Sequence, residues 1–248
     1  MTNFTKYDLS KNINCDVNES LMVLSATQDF KTHLNIQDKQ QVTLVLLHEA
    51  SQAIDMNLEI NVGSNVNLTF ALVSLVNQEY NANFTINLNG DDSVVDVESG
   101  LLGNANKKMY MTINHLNNRC VSTMNHYGLI TTNEPFTIEA SGVVKKYANG
   151  NDCRQALRCA TFTNNKAITL KPMLYIDDFD CQAAHACTIG QISPRQMYYL
   201  QSKGLSRKAI MALIAKGYMQ PVVECVNEAS VKNYLQHLMD NLEANYVE

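Results

Sequence analysis

Cysteine and histidine crowd one part of the chain: Cys153, Cys159, Cys181 and Cys187 are joined there by His185. Thiolate and imidazole together suit iron, and a thiolate also accepts a transferred sulfur atom. Neutral imidazole is a metal ligand or a proton carrier near neutral pH. His185, Cys159, Cys153 and Cys187 are therefore read as candidate metal ligands. The competing reading keeps the thiols as small buried hydrophobes and gives His185 a hydrogen bond to a turn. Asp177, Asp178 and Asp180 stand just before Cys181. A hard cation needs more oxygen ligands than one turn supplies, so these carboxylates read as an exposed strand-to-turn corner.

The elements that must hold these residues divide the chain in three. Residues 1–40 are polar and Asn-rich and read as a mobile arm or a small cap. Residues 41–190 hold short apolar or alternating runs, among them 42–47, 58–62, 66–76, 84–88, 109–113 and 157–163. Runs of that length, rich in Val, Ile, Thr and Phe, signal half-buried strands. Asn, Asp and Gly fill the gaps, as turn chemistry requires. No helical pattern interrupts them, which disfavours a βαβ open sheet. A sandwich and a parallel β-helix both remain, and the lack of a strict repeat excludes a simple hexapeptide coil.

Residues 191–248 read as helical. An extended run at 173–176 leads to a turn centred on His185, and Ser193-Pro194 then opens a helix that stops at Gly204. Ser206 caps a second helix ending at Gly217, Pro221-Val222-Val223 is a break or a short extended link, and 229–245 is a further helix.

Composition narrows the partners. The net charge is −5, with no basic stripe, so nothing draws the chain towards nucleic acid. No apolar run approaches a membrane span, and the first residues lack a signal-peptide core, so a cytoplasmic location is expected. Seven cysteines, an odd number irregularly spaced, argue against a disulfide framework, and the absence of CxxC against a zinc knuckle. No P-loop, GxGxxG, GxSxG or HExxH occurs, so the chain binds no nucleotide through those motifs and any energy input comes from a partner.

A set of local motifs narrows the choice of fold. Pro172-x-Leu174-x-Ile176, Asp177-Asp178, His185-x-x-Thr188-x-Gly190, Tyr198-Tyr199-Leu200 and Lys203-Gly204-Leu205 follow one another in order. This series resembles the carboxy-terminal part of the SufB/SufD family, the scaffold proteins of iron–sulfur cluster assembly. A weaker match through His115, Ser122, Gly128 and Gly142 extends it over roughly residues 40–220. The resemblance implies a mainly β fold, a right-handed parallel β-helix with a C-terminal α-helical segment. It also implies a dimer with a SufB/SufD-like partner or with itself, and a SufC-type ABC ATPase partner docked on Tyr198, Tyr199, Leu200, Lys203, Gly204 and Leu205.

The same resemblance gives His185 a part in building a transient iron–sulfur cluster at the subunit junction. Its sulfur-accepting cysteine falls near Leu157 here, and Cys159 is two residues away on the same face of a regular strand. His185 and Cys159 are thus the catalytic candidates. SufB members carry Glu directly after the motif histidine, and Ala186 stands there in this chain, which points to a compact SufD-like member. The expected role is a non-enzymatic scaffold. The alternatives are a β-helix adaptor without chemistry and a carbohydrate-active β-helix enzyme, the latter disfavoured by the absence of Trp.

Overall fold

The computed structural model describes residues 4–9, 14–164 and 166–241. Its strands in chain order are β1 (Lys6–Asp8), β2 (Asn14–Val17), β3 (Leu21–Ala26), β4 (Phe30–Ile36), β5 (Gln41–His48), β6 (Ile54–Val62), β7 (Asn67–Ser74) and β8 (Tyr80–Leu88). They continue as β9 (Val94–Gly103), β10 (Lys107–His115), β11 (Val121–Ile130), β12 (Phe136–Val144), β13 (Asn151–Thr161), β14 (Ile168–Ile176) and β15 (Cys181–Gln191). Three helices follow: α1 (Pro194–Ser202), α2 (Arg207–Glu224) and α3 (Ala229–Asp240).

Odd-numbered strands form one sheet and even-numbered strands the other, each in sequence order. Consecutive strands within each sheet pair in parallel, as β6 does with β8 and β8 with β10. The chain therefore winds between two sheets as a β-helix of about six turns. The sandwich is set aside, because its sheets are antiparallel.

Alternation along each strand builds the core. Every second residue of β6 is buried, and Met56, Leu58, Ile60 and Val62 stack in register on Ala82, Phe84, Ile86 and Leu88 of β8. The odd-strand sheet is buried on both faces where α2 and α3 cover its outside. Val45, Leu47, Ala71 and Val73 meet Met219, Val222, Val231 and Leu235 there. Apolar burial of this kind contributes roughly 25 cal/mol per Å².

Corners repeat from turn to turn. Lys39, Asn65, Asp92, Arg119 and Gly150 all take positive φ, and each sends its N–H to a carbonyl of the next turn, as Asn65 does to Asp91 at 2.8 Å. Among these five corners only Asn65 is an asparagine; the inter-turn hydrogen bond holds Lys39 and Arg119 in the same conformation. Asparagine's larger role lies on the outside of the even-strand sheet. Asn61 Nδ2 donates to Asn35 Oδ1, Asn87 to Asn61 and Asn114 to Asn87, at 3.1, 3.0 and 2.8 Å.

Several local expectations change. Residues 14–36 hold β2, β3 and β4, so the segment read as an arm or cap carries the beginning of the coil. In β4 only alternate residues such as Phe30, Leu34 and Ile36 face inward, and the polar residues between them masked the pattern. His185 lies inside strand β15 rather than in a turn. The second helix runs through Gly217 and Pro221 to Glu224, held by the complete burial of Val222 and Val223 against the sheet. α3 is described to Asp240; the expected continuation from 242 to 245 lies outside the described residues.

Candidate functional site at the open last turn

The coil ends in an open turn. β15 is bonded to β13 alone and β14 to β12 alone in their sheets, so each offers a free edge. β15 is exposed along most of its length. Its sequence, CQAAHACTIGQ, holds no charge and no proline, the usual means of blunting an edge strand.

Register decides which way its side chains point. Gln155 pairs with His185, Leu157 with Cys187, and Cys159 with Ile189. Gln155, Leu157 and Cys159 are buried inside the coil, so His185 and Cys187 continue that inner face onto the open edge. Cys153 and Cys181 lie on the same face: Cys153 pairs with Ala183, and Asn151 with Cys181. All four cysteines and His185 thus share one face of two adjacent strands. The structure groups His185 with Cys187 two residues away. Cys159 stands opposite Ile189, four residues along from His185, roughly 13 Å at strand rise. Direct hydrogen bonding between His185 and Cys159 is therefore excluded in this conformation.

The thiols are held protonated. Cys159 is fully buried, and burial drives its thiol far above its ordinary value, the Cys187 thiol adding to the shift. Burial also raises Cys153, against a hydrogen bond from Ser122 that lowers it. Cys187 and Cys181 are raised as well, chiefly by burial. A thiolate is the metal ligand and the nucleophile, so these groups stay inert until a cation or a new surface changes their surroundings. Among the described residues no three His, Cys, Asp or Glu side chains are grouped to hold a metal ion.

Two glycines make room for the sulfurs. A Cβ on Gly142 would strike Cys153 Sγ, and one on Gly128 would strike Cys159 Sγ. Asp178 acts as a turn cap, its carboxylate accepting from the N–H groups of Tyr147 and Asp180 at 2.9 and 3.0 Å. His115, which the sequence singles out only within the weaker family match, is fully buried and joins Ser122 at 2.8 Å to Asn151 at 3.1 Å, behind Cys153. Its partners are separated from it in sequence, so only the coil's register reveals the chain of bonds.

The helical handle projects beside this edge. Ser193 caps α1 in a full capping box with Gln196, and α1 has no buried residue. Tyr198 and Tyr199 are 74 and 59 % exposed, Lys203 lies over the Tyr199 ring, and Gly204 takes a φ of 90° to end the helix. Leu200 is half-buried and Leu205 stands at the surface just beyond. An apolar groove of about 590 Å³ runs between α1 and α2, lined by Ile192, Tyr199, Leu200, Ile214 and Tyr218. No helix among the described residues is long and apolar enough to cross a membrane.

The fold is a parallel β-helix whose open last turn carries thiols and an imidazole beside the exposed helix α1. The chain belongs to the family described as "SUF system FeS cluster assembly, SufBD core domain", whose model matches residues 11–218. It is 25 % identical over 161 residues to the iron–sulfur cluster assembly protein SufD of Bacillus subtilis, covering 64 % of this chain and 36 % of that protein. Iron–sulfur cluster assembly SufBD family proteins of Mycobacterium tuberculosis and Mycobacterium leprae are each 24 % identical over 85 residues, 34 % of this chain and 10 % of theirs. The chain thus spans little more than a third of the Bacillus relative.

Proposed function

We propose that this chain is a SufD-like scaffold subunit that assembles an iron–sulfur cluster as cargo at a subunit junction in the cytoplasm, driven by a SufC-type ATPase. The observation that supports it most is the unblunted edge of β15 with His185 and Cys187 on its inner side. Two such edges pair antiparallel about a two-fold axis. An axis at Ala186, the middle of β15, would set His185 opposite Cys187 of the partner subunit. Two imidazoles and two thiols would then share one face, a ligand set that suits iron. A SufB-like partner would meet the same edge.

The groove between α1 and α2 is the proposed docking surface for the ATPase. An amphipathic helix with exposed aromatics is a known form of such a surface. The scaffold itself performs no catalytic turnover in this reading; nucleotide hydrolysis by the partner moves the helices and alters the junction.

The test is anaerobic reconstitution with ferrous iron and sulfide, followed by visible absorbance and by mass in solution. Cluster absorbance on a dimer, abolished in His185→Ala and Cys187→Ser, is the expected result. A wild-type chain that stays monomeric with a SufB-like partner present, or variants that load as well as wild type, would refute the reading. Capture of a SufC-type ATPase by the intact chain tests the second half, and its absence with both proteins folded removes that half.

A further inference from the structure

The two ends of the described chain meet. Lys6 on β1 donates to Glu49 Oε1 at 2.7 Å and to the hydroxyl of Tyr234 on α3, 228 residues away, at 2.8 Å. Tyr234 donates its own proton to Glu49 Oε1 at 2.9 Å. Ser25 Oγ of β3 donates to Glu49 Oε2 at 2.6 Å. The Lys6 ammonium also lies 4.4 Å from the centre of the Tyr234 ring, and Phe4 meets that ring edge-on at 5.5 Å. Glu49, one residue past β5, thus gathers a donor from each of β1, β3 and α3.

The protons are fully assigned by this arrangement. An ionised Glu49 only accepts, and three donors converge on its two oxygens. Lys6 spends a second proton on the Tyr234 oxygen, whose O–H is already committed to Glu49. Burial alone would raise the Glu49 carboxyl, yet the hydrogen bonds from Lys6, Ser25 and Tyr234 outweigh it and hold the group below its ordinary value.

Such a ring matters for direction more than for net stability. A half-buried ion pair adds little over an apolar contact of the same size, but removing one partner strands the other. The apolar stripe of α3, Val231, Leu235 and Met239, belongs to the cluster over the odd-strand sheet. Apolar packing is non-directional, so that stripe alone leaves the seating of α3 loosely specified. β1 is three residues long and sits at the outer edge of its sheet, a position prone to fraying. β1 and α3 are joined through Glu49, while α3 is tied to α2 as well by the Lys216–Asp240 and Lys232–Glu224 ion pairs. α1 has no counterpart: it buries no residue.

We propose that Lys6, Glu49 and Tyr234 form a latch that makes β1 and α3 open and close as one unit and leaves α1 as the mobile element of the helical segment. Its use as a fixed base, against which an ATPase bound at α1 would pull, rests on the function proposed above; the latch itself does not.

Hydrogen exchange read by mass spectrometry on the free chain tests it. Glu49→Gln keeps the size and removes the charge, and Tyr234→Phe keeps the ring and removes one hydroxyl. Both should speed exchange in β1 and α3 together, tenfold or more for Glu49→Gln, while β8 to β12 stay unchanged. Quickening of α3 without β1, no quickening in either, or an equal rise in β8 to β12 would each overturn the latch. Since the ATPase is absent from this measurement, failure of ATPase capture would remove the docking reading and leave the latch standing.

Discussion

Gly142 faces Cys153 across the inside of the coil, so close that a Cβ on the glycine would overlap the sulfur. Gly142 belongs to β12 and Cys153 to β13, so this contact sets the spacing of the two sheets at the last complete turn. Gly142→Ala should destabilise the fold by about 1–3 kcal/mol, the usual cost of overpacking. Cys153→Ala in the same chain should recover most of that loss, because the two residues share one space. Urea midpoints of the two single variants and the double variant measure it, and purely additive losses would contradict the contact.

The asparagine ladder makes a separate claim. Asn61 is its centre, donating to Asn35 and accepting from both Asn87 and Asn89. Asn61→Ala breaks these bonds at once and leaves half-buried amides short of partners, which should cost about 1–2 kcal/mol. Asn114→Ala, at the end of the row, should cost less. Equal losses in chemical denaturation would show that the three bonds of Asn61 contribute no more than the single bond of Asn114.

Much of this coil was legible in the sequence, and the reasons it was not fully so are physical. Alternation marked β6, β8 and β10 because only one face of their sheet is covered. The fold choice between sandwich and β-helix stayed open until family motifs were weighed, since direction of pairing leaves no mark on a single strand. His185 was found by its motif, but its place in a strand was not, because Ala183, Ala184 and Ala186 around it read as small turn-like residues. That Cys153, Cys159, Cys181, His185 and Cys187 share one face depends on the register between β13 and β15, which a single chain does not display. The latch through Glu49 joins residues from opposite ends of the chain and was beyond any local pattern.

Four buried bases predict how stability follows pH, and His115, also lowered by burial, is one of them. His48 and His126 are held to about 3, both chiefly by burial, with the Lys107 charge adding to His48. Lys107 is fully buried, bonded to Ser74 Oγ and the Val76 carbonyl, and burial lowers it to about 7. In each case the unfolded chain binds a proton that the folded chain refuses. Stability should therefore fall as pH drops from about 8.5 to 7 through Lys107, since above that range the buried thiols Cys153 and Cys159 act in the opposite sense, and again below about 6.5 through His48, His115 and His126. Each group contributes a slope of up to about 1.4 kcal/mol per pH unit within its window. Urea denaturation across pH 4–10 reads it. Lys107→Met should flatten the alkaline limb alone, and a limb that survives the substitution would assign it to another group.

α1 offers a way to separate docking from folding. It buries no residue, so truncating its side chains removes almost no apolar contact from the fold. Tyr199 and Leu200 line the groove beside Ile214 and Tyr218 and would meet a partner directly. A docking surface concentrates its affinity in a few aromatic and apolar anchors, each worth about 2 kcal/mol or more. Tyr199→Ala should thus weaken capture of a SufC-type ATPase by roughly thirtyfold or more, since 1.4 kcal/mol is tenfold. The same change should leave the thermal midpoint within about 2 °C of wild type, as expected for a surface substitution worth under half a kilocalorie. Lys203→Ala removes a charge at the rim, so its effect should appear in the salt dependence of association more than in affinity. If Tyr199→Ala binds as wild type does while a variant on the asparagine face does not, the ATPase sits on the even-strand sheet and α1 has another use.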